Sequence, residues 1–267
     1  MTENDSAARG SEVTSTGPLC FCPADKTAAK KAPHIHIYGP AKAVCDTEKR
    51  GFKTPGNRSP LELVLHAGDG FVPLWAEGVT LHWRFQERSL LAFEDPDAAR
   101  ARIRSLMAKG LALWGDAVPV RFSEHNDLLD FEVVVRDQSR CSANGCVLAS
   151  AFFPDAGQHE LVLYPTLFEQ IETEQIETLA HEFGHIFGLR HFFAQISETE
   201  WASETFGEQC RFTIMNYGPE SVLTENDRRD LKTLYRLVWG GELKEINGTP
   251  VRLVQPFSAA TTVPHVA

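Results

Sequence analysis

His181-Glu182-Phe183-Gly184-His185-Ile186-Phe187-Gly188-Leu189-Arg190-His191 has the pattern H-E-x-x-H-x-x-G-x-x-H. Residues four apart on a helix stack one turn above the other, so His181 and His185 share a face. Gly188 can adopt the left-handed conformation that stops a helix. The chain then turns back and can offer His191 to the same point. Three neutral imidazoles with an open fourth position make a catalytic zinc site, whereas structural sites are closed and mostly use cysteine. Glu182, beside the first ligand, can reach a water at such a metal. The competing reading is a buried amphipathic helix with incidental histidines. A glycine and a third histidine at fixed spacing favour the metal.

The helix carrying this motif is predicted from Glu172 to Phe187. Glu172, Glu174 and Glu177 crowd its first turns, where negative charge suits the helix dipole. Ile176, Leu179, Ala180 and Phe183 form its inner face. Before it, five strands are predicted: Val79–Phe85, Val118–Phe122, Phe131–Val135, Val147–Phe153 and Glu160–Tyr164. Between the first two, Asp95 and Pro96 suit the N-cap and first position of a helix. Ile103, Leu106, Met107, Leu111 and Trp114 recur along it at helical spacing, and Gly115-Asp116 ends it. The small residues Ala149, Ser150 and Ala151 leave the edge of the fourth strand open to an extended peptide. Thr224 and Asp227 resemble a capping box opening a last helix, with Leu231, Leu234, Tyr235 and Val238 as its apolar stripe.

Three segments are expected: a poorly ordered extension over 1–52, a catalytic domain over 53–240, and an extended C-terminal tail over 241–267. The first is rich in small and polar residues without periodicity. It contains His34-Ile35-His36, read as a short solvated strand or a metal-binding pair, and Cys20, Cys22 and Cys45. A thiolate from this extension could occupy the open metal position and hold the protein latent. Of six cysteines, Cys141 and Cys146 flank a turn-prone spacer and are the best local pair; inside a cell, free thiols are the default. The 267 residues, 43% hydrophobic and 23% charged, suit one sizeable core. A net charge of −10 argues against nucleic acid as the main partner, and no apolar run reaches the ~18 residues of a membrane span. The N-terminus lacks a secretory pattern, which leaves a cytoplasmic protein, a non-classically secreted one, or one whose leader has been removed; a monomer is expected.

These elements, in this order, resemble the metzincin zinc endopeptidases, and among them the matrixins. Four features carry the resemblance: His181 to His191; Ile214-Met215-Asn216-Tyr217, similar to the family's Met-turn; the helix and strand over Ala101 to Phe122; and Val147-Leu148-Ala149-Ser150-Ala151 with Phe152-Phe153-Pro154, similar to the matrixin substrate-binding edge strand. The resemblance implies an α+β fold, with a twisted five-stranded mixed sheet, an active-site helix and a C-terminal helix. It implies His181, His185 and His191 as ligands of one catalytic zinc, Glu182 as general base, and Met215 as support beneath the metal. Tyr217 stands where some relatives carry an extra zinc ligand and transition-state donor; a packing tyrosine is the other reading.

The chain departs from the family at several points. Phe192 follows the third histidine, where matrixins have serine. Ser150 stands where they have a histidine for a structural zinc, and Glu160–Tyr164 lacks the matching His and Asp. A second zinc and the family's calcium sites are therefore not expected. The activity implied is zinc-dependent hydrolysis of peptide bonds in a protein or peptide substrate. The alternatives are a non-catalytic zinc-binding domain with the same fold, or a latent protease needing N-terminal removal.

Overall fold

The computed structural model describes residues 63–67, 70–142, 145–191, 203–206, 213–215 and 222–261. In chain order the elements are β1 (Leu63–His66), β2 (Val72–Trp75), β3 (Thr80–Phe85), α1 (Glu87–Leu90), α2 (Pro96–Trp114), β4 (Arg121–Glu124), β5 (Phe131–Val135), β6 (Arg140–Ser142), β7 (Gly145–Val147), β8 (Ala149–Ser150), β9 (His159–Leu163), α3 (Pro165–Phe168), α4 (Glu172–Ile186), β10 (Ser203–Phe206), α5 (Glu225–Trp239), β11 (Glu245–Ile246), β12 (Thr249–Val254) and α6 (Phe257–Thr261). The N-terminal extension, with its cysteines and the His34–His36 pair, lies outside the described residues, as do Phe192 and Tyr217.

The main sheet has the order β4-β3-β5-β9-β8. Its first four strands are parallel and β8 is antiparallel to β9. Leu81, Trp83 and Phe85 are buried while Thr80, His82 and Arg84 are half-buried, as a strand with one face on the core requires. Phe131, Val133, Val135, Leu161 and Leu163 extend that face, and α2 and α4 share the same core. Asp95 accepts from the backbone N–H of Asp97 and Ala98 and so caps α2, and Gly115, at φ 58°, ends it. The two long helices approach closely at Gly110: a Cβ there would lie 3.2 Å from the Ala180 nitrogen and the Leu179 Cβ. Thr224 and Asp227 form the reciprocal capping box of α5.

Two boundaries differ from the sequence reading. The second strand starts at Arg121, because Gly115–Ala117 form a 3-10 turn and Pro119 has no N–H for a ladder. The single strand expected over Val147–Phe153 is divided. Val147 ends the β6–β7 hairpin, only Ala149 and Ser150 pair with β9, and Ala151–Phe153 are buried outside the ladder. Nearly all of that run is apolar and buried on both sides, so its pattern carries no two-residue period from which to read a register.

Within the segment expected as an extended tail, residues 245–261 form two strands and a short helix. β12 pairs with β2 in parallel and with β11 antiparallel, giving a three-stranded sheet. Beyond it Ser258 is buried: its N–H and hydroxyl donate to the two oxygens of Asp130, at 2.7 and 2.9 Å. Asp130 also accepts from the His82 N–H at 2.7 Å, and His82 Nδ1 lies 3.1 Å from the Ser258 hydroxyl. Since that hydroxyl gives its hydrogen to Asp130, His82 must donate from Nδ1. α6 is thus locked onto the main sheet through one buried carboxylate. Ser258→Ala is expected to cost roughly 1–3 kcal/mol, because it leaves buried polar partners unmet. A urea midpoint equal to that of the parent would remove this lock from the account.

Candidate metal centre

The site is built on α4. His181 and His185 project from one face, and a Schellman turn ends the helix: the Gly188 N–H bonds to His185 O and the Leu189 N–H to Gly184 O. Gly188 has φ 95°, so the positive backbone angle expected of it is present. The turn carries His191 back over the helix. One ligand nitrogen from each of His181, His185 and His191 lies within 4.8 Å of the others, and all three residues are buried. The Nε2 atoms of His181 and His191 are 3.1 Å apart.

The outer faces of two of these rings are fixed. His181 Nδ1 lies 2.7 Å from Ile214 O, and His185 Nδ1 lies 2.7 Å from Leu189 O. A nitrogen facing a carbonyl must carry the hydrogen, so both rings turn an Nε2 lone pair inward. Such second contacts orient metal-ligating histidines and raise their basicity. Burial, followed by the neighbouring His191 ring, lowers the His181 pKa to about 3. Burial, then His181 and His191, hold His185 well below the ordinary imidazole value. Two neutral, inward-facing imidazoles within a buried three-nitrogen set fit zinc, with no described carboxylate or thiolate completing the group.

These depressed values give a signed pH dependence for the metal-free chain. Below about 6.5 the unfolded chain takes up protons that the folded site refuses, so stability falls as pH drops toward about 3, by ~1.4 kcal/mol per pH unit for His181, and His185 adds to the fall in the same direction. Urea midpoints between pH 7 and 4 measure this. A slope unchanged in His181→Asn would contradict the assignment.

Glu182 follows the first ligand and is buried in α4. Met215 is buried beneath the helix. A Cβ placed on Gly184 would come within 2.3 Å of its sulfur, so the methionine occupies the space that the glycine leaves. β8 lies at the free side of β9, the outermost strand among the described residues, and runs against α4. Of the proposed edge residues, Ala149 and Ser150 form β8; Leu148 precedes it, Ala151 follows it, and Val147 belongs to β7.

Several supporting groups were not read from the sequence. The Trp114 indole donates to Ala180 O at 2.9 Å and the Trp75 indole to Ile186 O at 2.7 Å. The Tyr235 hydroxyl donates to Phe187 O at 3.1 Å. Three rings from β2, α2 and α5 thus hold the helix: Ile186 O and Phe187 O lie at its end, where a helix leaves acceptors open, and Ala180 O lies within it. The only sequence signal was that a buried Trp or Tyr needs a partner for its polar atom. Arg190, also buried, sets its guanidinium 5.5 Å from the centre of Phe153, whose ring meets His185 edge-on at 5.5 Å.

Residues 75–199, which contain all three histidines, match the matrixin family model. The part of the chain that carries the three histidines is matrixin-like. Human stromelysin-3 is 31% identical over 101 residues, 34% of this chain and 21% of that protein. Mouse stromelysin-3 is 29% identical over 147 residues, 51% of this chain and 27% of its own length. Matrix metalloproteinase-18 of Xenopus laevis is 29% identical over 106 residues, 36% of this chain and 23% of that protein. The chain therefore spans about a fifth to a quarter of the length of the curated relatives it matches. Among solved structures, one of myroilysin aligns at a TM-score of 0.39 and 14% identity, covering 61% of this chain and 95% of its own. The matrixin-like domain has the mixed five-stranded sheet and helices expected for the family. No described helix is long and apolar enough to cross a membrane.

Proposed function

We propose that the protein is a zinc-dependent endopeptidase in which His181, His185 and His191 hold the ion and Glu182 is the general base. The observation that carries this reading is the set of three buried imidazoles, two of them locked by carbonyls, on the helix that carries Glu182 and the turn that follows it. Zinc bound there would supply Lewis acidity, polarising a peptide carbonyl and bringing the pKa of a water toward ~7. The protein's own part is proton transfer and alignment. Glu182 accepts a proton from the attacking water and passes it to the nitrogen of the leaving amine, so no net proton is lost between attack and departure.

β8 aligns the substrate. The Tyr164 N–H bonds to Leu148 O at 2.9 Å, so Leu148 faces β9, and by strand alternation the N–H and C=O of Ala149 face away from it. An extended peptide can pair there through its main chain, which grips many sequences with little demand on side chains. Tyr217, two residues beyond Met215, is the proposed donor to the developing oxyanion. The test is cleavage of a proteome-derived peptide library by the zinc-loaded protein, with Glu182→Ala as control. Zinc bound at one equivalent without cleavage by the parent would instead favour a binding domain.

A further inference from the structure

We infer that the Cys141–Cys146 disulfide is a positioning element for the substrate-binding edge: it holds the hairpin that leads into β8, and its reduction loosens that edge while leaving the metal ligands in place. This rests on the reading that a peptide pairs with β8.

Cys141 and Cys146 are joined, and they are direct partners across the β6–β7 hairpin. That hairpin is a sheet of its own, three residues on each side. All three residues of β6 are exposed. Isolated two-stranded ribbons are marginal in water, so the covalent bond reinforces the three-pair ladder between β6 and β7. The closed loop is short, which places the effect of the bond locally rather than on the stability of the whole chain.

From Cys146 the chain runs directly into the edge. Val147 packs with Val162 and Tyr164 in a small cluster separate from the main core, and its carbonyl accepts from the Thr166 hydroxyl at 3.2 Å. Next come Leu148, then Ala149 and Ser150, paired with Leu163 and Val162. A ladder of two residues cannot set its own position. It is held at one end by buried Ala151–Phe153, with Phe153 against His185, and at the other by buried Leu148, whose carbonyl accepts from the Tyr164 N–H, and by the stapled hairpin before it. No cysteine belongs to the described ligand set, which lies on α4 and the turn after it.

Cys141 is exposed and Cys146 is not. A dithiol reductant can therefore attack the Cys141 sulfur. Cys146 leaves as a thiolate and takes up a proton. The reductant's second thiol then closes its own disulfide and releases Cys141 as a thiol. Two electrons and two protons pass from the dithiol to the cystine, and nothing else changes oxidation state.

The experiment compares the full-length parent with Cys141→Ser/Cys146→Ser, each with and without a dithiol. The readouts are zinc content, exchange of the Ser150 and Tyr164 amides, which face the other strand of the β8–β9 ladder, and kcat and KM on a cleaved peptide. Loss of the disulfide should speed exchange at those two amides by roughly tenfold and raise KM several-fold, with kcat and zinc content held. The dithiol should reproduce this in the parent and do nothing further to the variant, which separates the pair from the other cysteines. Cys141→Val/Cys146→Val keeps a cross-strand contact of β-formers and should lie between the two. Unchanged exchange and KM would overturn the inference, and so would loss of zinc in both variants. If the parent cleaves no peptide, the proposed activity fails, yet exchange at β8 still decides whether the disulfide holds the edge.

Discussion

Glu182→Ala is expected to bind zinc and melt like the parent while peptide hydrolysis falls by roughly 10²–10⁴-fold, the usual worth of a positioned acid–base. The reason is that the helix and the histidines around this side chain are held by other groups. α4 is held by Trp75, Trp114 and Tyr235 on its carbonyls, and its ligands are oriented by Ile214 O and Leu189 O. Because the proton moves only on the way to the transition state, the loss should fall on kcat with KM little changed. Glu182→Gln keeps the volume and removes the basic oxygen, so it separates proton transfer from any packing effect of alanine. Both variants should be equally inactive. If glutamine retained more than about a tenth of the parental rate, proton transfer by Glu182 would be wrong, since an amide cannot supply that share of a general base's effect.

The parts of this site that could be read from the sequence are those set by local geometry. His181 and His185 face one way because four residues make about one helical turn. Gly188 and His191 were legible because a left-handed residue reverses the chain over a fixed distance, and here it does so at φ 95°. The Cys141–Cys146 pair was legible for a similar reason, a short turn-forming spacer. What escaped was long-range pairing. Thr249–Val254 aligns with Val72–Trp75 from the far end of the chain. Its one proline, Pro250, sits near the strand's start, where a missing N–H is tolerated. Asp130, His82 and Ser258 converge from three separate segments, and no spacing announces that. The Trp75 and Trp114 indoles needed partners, but composition does not say which carbonyls would supply them. The edge strand was intermediate: its place beside the site was legible and its register was not.

Gly184→Ala tests the packing beneath the metal, and it is expected to damage the site although alanine is the better helix former. Within a helix the substitution normally gains about 1 kcal/mol. Here the added Cβ would lie 2.3 Å from Met215 Sδ, 3.2 Å from its Cε and 3.4 Å from the Trp114 ring. Both neighbours are buried, and Trp114 is tied to Ala180 O, so the methionine must move. Overpacking of this kind costs roughly 1–3 kcal/mol, which offsets or exceeds the helical gain. The larger consequence is indirect. Met215 follows Ile214, whose carbonyl fixes His181 Nδ1 at 2.7 Å. Shifting that carbonyl frees the ring to turn, and loss of such a second contact weakens metal affinity by roughly 10–100-fold. Competition with a zinc chelator should show this loss in Gly184→Ala. Shortening the methionine makes room, so Gly184→Ala/Met215→Ala should bind zinc more tightly than Gly184→Ala alone, a coupling expected only of residues in contact. Were Gly184→Ala instead more stable than the parent with unchanged affinity, helix propensity would outweigh the contact, and Met215 would not support the ligands through its place under Gly184.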